Sequence, residues 1–240
     1  LLAVAAALKI YPAFLGLLLI LDKKYLRAIR TVIYGVVLFF IPFFFFKEGI
    51  HGLPVFLSKI FKRTGTGVTV NWRVNGFSFD RMFNNLISIV EENFHVVFDK
   101  ALISGLAFKL NTGSAVVCLA CAFFMKKEWQ KVLCCILGIL YFNNQSVYGL
   151  CLLLIVLIVM IRSEQFVSKS TIVPLLCIIN SCVILPIIDW NDHSYSIRDL
   201  RIQIGLFVLF VYIIAIAVKN VVIGIKAKKT DVKKVEAVSE

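Results

Sequence analysis

Of 240 residues, 60% are hydrophobic, against roughly 45–50% in an ordinary soluble domain, and the surplus is gathered into long apolar runs. One helical crossing of a hydrocarbon layer about 30 Å thick needs about 20 apolar residues, so these runs exclude a single soluble core and predict an all-α, polytopic membrane helix bundle of about seven spans. The net charge of +12 is accounted for by membrane topology, and no nucleic-acid partner is expected.

Residues 1–46 hold the first two membrane segments, Leu1–Leu21 and Thr31–Phe46. The chain opens inside the run Leu1-Leu2-Ala3-Val4-Ala5-Ala6-Ala7-Leu8, with no initiator Met, no basic segment before it and no small-residue cleavage site. It therefore reads as the C-terminal part of a longer protein, and residues 1–21 do not read as a cleaved leader. Lys9 lies within that run, in Ala7-Leu8-Lys9-Ile10-Tyr11-Pro12. An ammonium at such a depth costs about 2.5–3.5 kcal/mol, so it should face protein, water or an anion. Pro12 removes a backbone donor and breaks or kinks the helix beside that charge. Lys9 then either meets a phosphate, or snorkels, or pairs with a carboxylate.

Residues 47–102 form a long external loop. Phe83, Leu86, Ile87, Val90, Phe94, Val97 and Phe98 recur at spacings of three and four, with Arg81, Asn84, Asn85, Glu91 and Glu92 on the other face. That pattern predicts an amphipathic helix of about five turns lying along the outer surface, packed on lipid or on other helices.

Residues 103–225 carry the remaining spans: Ile103–Met125, Val132–Phe142, Ser146–Ile161, Thr171–Ile188 and Ile204–Ile225. Val132–Phe142 is short for a crossing, and either Asn143, Asn144 and Gln145 lie at the interface or the segment is a broken element lining a polar cavity. Asn180 and Ser181 are mid-span residues expected to hydrogen-bond across helices for about 1 kcal/mol. All seven cysteines fall within apolar runs and read as small hydrophobes. Cys118 and Cys121 have a C-x-x-C spacing, but no second pair or nearby His completes a tetrahedral site, so no metal is assigned and no cofactor is expected.

Lysine and arginine fill alternate short connections: 22–30, 126–131, 162–170 and the tail 226–240. These belong on the cytoplasmic side, which places the protein in the plasma membrane as a multi-pass chain with a cytoplasmic C-terminus. The basic tail can also touch anionic membrane lipids. Asp80, Asp189, Asp192 and Asp199 then read as external loop charges, and His51, His95 and His193 as solvated or interfacial residues.

Ala6-Ala7-Leu8-Lys9-Ile10-Tyr11-Pro12-Ala13, an apolar run, then Asp22-Lys23-Lys24-Tyr25-Leu26-Arg27-Ala28 resembles the "K-x-x-P, hydrophobic stretch, basic-aromatic turn" passage of bacterial glycosyltransferase family 87. These are multi-pass enzymes of the C-type superfamily that use polyprenyl-phosphate sugars, notably polyprenyl-phosphate mannose. In that superfamily the first segment can be a hairpin. Asn75-Gly76-Phe77-Ser78-Phe79 is similar to the family's external Asn-x-Ser turn, and Asn144-Gln145-Ser146-Val147-Tyr148-Gly149 resembles its late "S-x-x-Y" element. The resemblance covers most of residues 1–161 and nothing after Thr171. Actinobacterial members often carry a His pair in the late element, where this chain has Gln145 and Tyr148.

The resemblance implies glycosyl transfer at the outer face, from a polyprenyl-phosphate sugar donor to a lipid or glycan acceptor of the cell envelope. It implies Lys9 and Arg73 as contacts of the donor phosphate, and Tyr11, Pro12, Asn75, Ser78, Gln145, Ser146 and Tyr148 as cavity- or substrate-lining residues. Arg73 is equally readable as a solvated loop charge. The catalytic carboxylate of the family belongs to an early external loop, before Leu1 of this chain, so the catalytic residue is unknown. Two other classes stay open: a transporter or flippase of lipid-linked saccharide, which should show paired halves, and a non-catalytic membrane scaffold, in which Lys9 would be replaceable. No Walker sequence, His-Glu-x-x-His or nucleophile elbow occurs, which leaves a pump, a zinc protease and an esterase without local support.

Overall fold

A computed structural model of the chain describes residues 11–45, 47, 49–55, 58, 79–96, 98, 100–142, 147–163, 171–182 and 197–239. Among the described residues every element is helical. A 3-10 turn, Tyr11–Gly16, runs into α1 (Leu17–Leu21), followed by α2 (Tyr25–Phe40), α3 (Phe79–Phe94), α4 (Lys100–Ala122), α5 (Glu128–Phe142), α6 (Cys151–Ser163), α7 (Ile172–Cys182) and α8 (Ile197–Ser239). Two stretches, Tyr25–Phe44 and Leu200–Ala227, are long and apolar enough to cross a membrane. The expected spans Val132–Phe142, Ser146–Ile161 and Thr171–Ile188 correspond to helices of 15, 13 and 11 residues, and residues 183–188 lie outside the described ones.

The core is built around α5. Val132 through Tyr141 are buried on every face, because the Tyr11–Gly16 turn and α1, α4, α6 and α8 surround this helix. A segment short for a crossing is thereby the centre of the bundle. Its closest neighbour is α4, and the approach is set by Gly138, where an added Cβ would lie 3.2 Å from Leu119 Cδ2 and 3.5 Å from the Ala115 carbonyl. Small residues at such a crossing let two backbones come together, the usual source of attraction between helices that share an apolar solvent. Trp129, fully buried at the start of α5, stacks on Tyr212 of α8 with ring centroids 6.4 Å apart.

α2 stands at the edge of the bundle. It contacts α1 and the following 3-10 turn Ile41–Phe44, none of its residues is buried, and Leu26, Val32 and Tyr34 are well exposed. The turn before it is closed by the Lys24 amide donating to the Leu19 carbonyl and the Lys23 amide to the Ile20 carbonyl. This six-to-one and five-to-two pair needs a left-handed residue, a place usually taken by glycine and here by Lys23 at φ 59°.

The amphipathic helix exists, but its end and its inward face differ from the expectation. α3 stops at Phe94, His95 takes a left-handed φ of 54°, and the Phe98 amide donates to Glu91 Oε1 at 3.3 Å. Phe98 therefore falls beyond the helix, and Val97 lies outside the described residues. Ser88 is buried and Asn85, placed by spacing on the polar outer face, is half-buried against α8, whereas Leu86 and Phe94 are exposed. The face that packs on α4 and α8 thus includes polar side chains. The physical reason at Asn85 is that its amide finds a hydrogen-bond partner there in Gln203, so turning it inward does not strand the group.

Candidate functional site

Lys9, Arg73, Asn75, Ser78, Gln145 and Ser146 lie outside the described residues. Tyr11, Pro12 and Tyr148 are placed by their backbone. Tyr11 and Pro12 open the turn Tyr11–Gly16, where a proline's missing N–H costs nothing, and Tyr148 sits in the 3-10 turn Val147–Leu150 that leads into α6.

Two contacts fix how these turns relate to the bundle. Asp22, just after α1, meets Lys131 in the first turn of α5 at 3.8 Å, and the Tyr11–Gly16 turn packs on α5 as well. The segment from Tyr11 to Asp22, roughly 20 Å long at standard helical rises, therefore runs antiparallel to α5. Tyr11 and Pro12 come to the end of the bundle where α5 finishes at Phe142. Tyr148 follows from that same end.

That end also collects buried polar groups. Tyr141, near the close of α5, donates its hydroxyl to the Leu206 carbonyl at 3.0 Å, and Asn85 Nδ2 donates to Gln203 Oε1 at 3.1 Å. Cys182, at the close of α7, reaches the Leu150 carbonyl at 3.8 Å, which brings the end of α7 to the start of α6. Ser181 is buried, but its hydroxyl donates to the Cys177 carbonyl of its own helix at 2.8 Å, and not across helices as expected. What Ser181 does across the interface is steric: an added Cβ at Gly205 of α8 would lie 3.0 Å from its Oγ. Asn111 and Ser114 of α4 are buried too. α4 and α8 run parallel, because Asn220 of α8 donates to the Phe124 carbonyl just after α4, and Asn111 is set back along α4 toward the Gln203 end.

The opposite end is basic. Lys24 Nζ bonds Asp22 Oδ2 at 3.0 Å beside Lys131, and Lys126, Lys127, Arg162 and Lys219 belong to the same end by their places at the close of α4, the start of α5, the close of α6 and the Asn220 contact. The hydrogen bond from Lys24 holds the Asp22 carboxyl below its ordinary 3.8, partial desolvation opposes this, and the charges of Lys24 and Lys131 add to it.

Among the described residues no three His, Cys, Asp or Glu side chains are grouped to hold a metal, and all seven cysteines are free thiols. The sequence assigns no role to Gln203, Asn111 or Tyr141, and its spacing puts Asn85 on the outer face of the amphipathic helix. Their signal was only that a polar residue in or next to an apolar run must find a partner, which names no partner. No family model, curated protein or solved structure matches the chain.

Proposed function

We propose that the chain is a multi-pass membrane glycosyltransferase that moves a sugar, mannose in the leading case, from a polyprenyl-phosphate donor to a cell-envelope acceptor at the outer face. The carrying observation is the division of the bundle into two unlike ends. One end gathers Lys24, Lys131 and their neighbours, as the cytoplasmic side of a multi-pass protein should. The other gathers Tyr141, Gln203 and Asn85, hydrogen-bonded inside the bundle, with the turns that hold Tyr11, Pro12 and Tyr148, and so supports a polar end on the side where a lipid-borne sugar phosphate would present its headgroup.

In this reading the seven-span arrangement has a cytoplasmic C-terminus, and residues 47–102 are external. Lys9, two residues before Tyr11 in the sequence, is the residue proposed to hold the leaving phosphate, together with Arg73. A phosphate leaving group needs fixed positive charge as the glycosidic bond breaks, and an ammonium kept away from bulk water supplies more of it than a solvated one. Asn75, Ser78, Gln145, Ser146 and Tyr148 line the path of the sugar.

The test is sugar transfer in membranes containing the full-length protein, with a radiolabelled polyprenyl-phosphate sugar. Lys9→Ala should lower turnover by roughly tenfold to a hundredfold, the range for loss of one charge-assisted contact. Wild-type turnover in Lys9→Ala would remove the role given to that residue. An absence of transfer from every donor offered would remove the enzymatic reading and leave the transporter and scaffold classes.

A further inference from the structure

α7 and α8 diverge around a side-opening groove of about 450 Å³, within the range of small-ligand sites. Leu176 and Cys177 of α7 face Leu200, Ile204 and Val208 of α8 across it, and Gly205 adds no side chain to fill it. The rim is exposed hydrocarbon, with Leu176 at 61% and Ile204 at 50% accessibility. Two polar groups interrupt this lining: Asn180, one turn from Leu176, and Arg201.

We propose that this groove holds one acyl chain of an anionic bilayer phospholipid whose phosphate is bound by Arg201. The apolar stretch of α8 that is long enough to cross a membrane starts at Leu200, so Arg201 sits at its very edge, the depth at which phospholipid phosphates lie. A guanidinium matches a phosphate with two parallel N–H donors, and the other described lining residues are apolar apart from one amide. Arg201 has a further contact of its own, and its five N–H donors can serve two acceptors. A free phosphate would use the guanidinium and waste the walls. A lipid with no phosphate would use the walls and offer the guanidinium no acceptor. Every lining residue among the described ones lies after Thr171, and the proposal calls on neither Lys9 nor residues 47–102, so it stands apart from the glycosyl-transfer reading.

The experiment is native mass spectrometry of the full chain in detergent, titrated with phosphatidylglycerol or with diacylglycerol of the same acyl chains. One phosphatidylglycerol should be retained in preference. Arg201→Gln should weaken that retention roughly tenfold, to the diacylglycerol level. Val208→Trp, which fills the groove, should weaken retention of both lipids, and Ile204→Trp does the same should the first variant fail to fold. Leu106→Trp, on an exposed face of α4, should change neither. Excess glycerol 1-phosphate should fail to displace the bound lipid. Equal retention of the two lipids, unchanged retention in Arg201→Gln, or displacement by glycerol 1-phosphate would each overturn the proposal.

Discussion

Asn85 Nδ2 and Gln203 Oε1 are joined by a 3.1 Å hydrogen bond that ties α3 to α8 across 118 positions of sequence. Gln203 is buried, with one side of its amide committed to this partner. The bond fixes which face of α3 looks inward, since rotating the helix would strand a buried amide at a cost of about 1–3 kcal/mol.

Replacing either residue by leucine should therefore lower stability by about 1–2 kcal/mol. The double replacement should be less harmful than the sum, with a coupling of about 0.5–1.5 kcal/mol in a double-mutant cycle measured by denaturant unfolding in detergent. Additivity to within about 0.3 kcal/mol would mean that the bond carries no weight.

Gly205→Ala should destabilise the α7–α8 contact by about 1–3 kcal/mol, because the new methyl meets a hydroxyl already held by the Cys177 carbonyl. Pairing it with Ser181→Gly removes the obstacle and should recover most of the loss in melting temperature. If Gly205→Ala alone melts like the parent, the helices are not in close contact at this point.

Stability should fall with acid through Asp22. Its folded carboxyl titrates below 3.8 and its unfolded one near that value, so its contribution is complete above the unfolded value and disappears as pH falls through the folded one. The parent's advantage over Asp22→Asn should hold at about pH 6, begin to shrink below about pH 4 and vanish at lower pH. A difference that stays constant down to about pH 2.5 would show that the Lys24 and Lys131 contacts are not formed in solution.

The two-ended arrangement predicts opposite accessibility for Asn93 and Lys126. In a Cys151→Ser background, an impermeant maleimide on intact cells should label Asn93→Cys and spare Lys126→Cys until the membrane is opened. Labelling of both from outside would refute the alternation of the short loops.

α3 shows how far the sequence could be read and where reading stopped. Its spacing of three and four gave the helix and nearly its length. The stop came four residues before Phe98, because His95 took a left-handed backbone and Glu91 bonded the Phe98 amide, a choice invisible to periodicity. The candidate site was less legible. Lys9, Arg73, Asn75, Ser78, Gln145 and Ser146 were chosen by motif and lie outside the described residues, whereas the polar groups that the structure brings together, Tyr141 with Leu206 and Asn85 with Gln203, belong to no motif.

By itself the amino-acid sequence determined the helical class, the positions of the apolar runs and the grouping of lysine and arginine into alternate connections, since each depends on composition within a short window. Only the tertiary structure decided that α5 is the centre and α2 the edge, that Asn85 and Ser88 turn inward, and that Ser181 bonds within its own helix while pressing on Gly205. A helix that is apolar on all sides has no preferred face of its own. Which side is buried is then settled by the neighbours it packs against, and those come from distant parts of the chain.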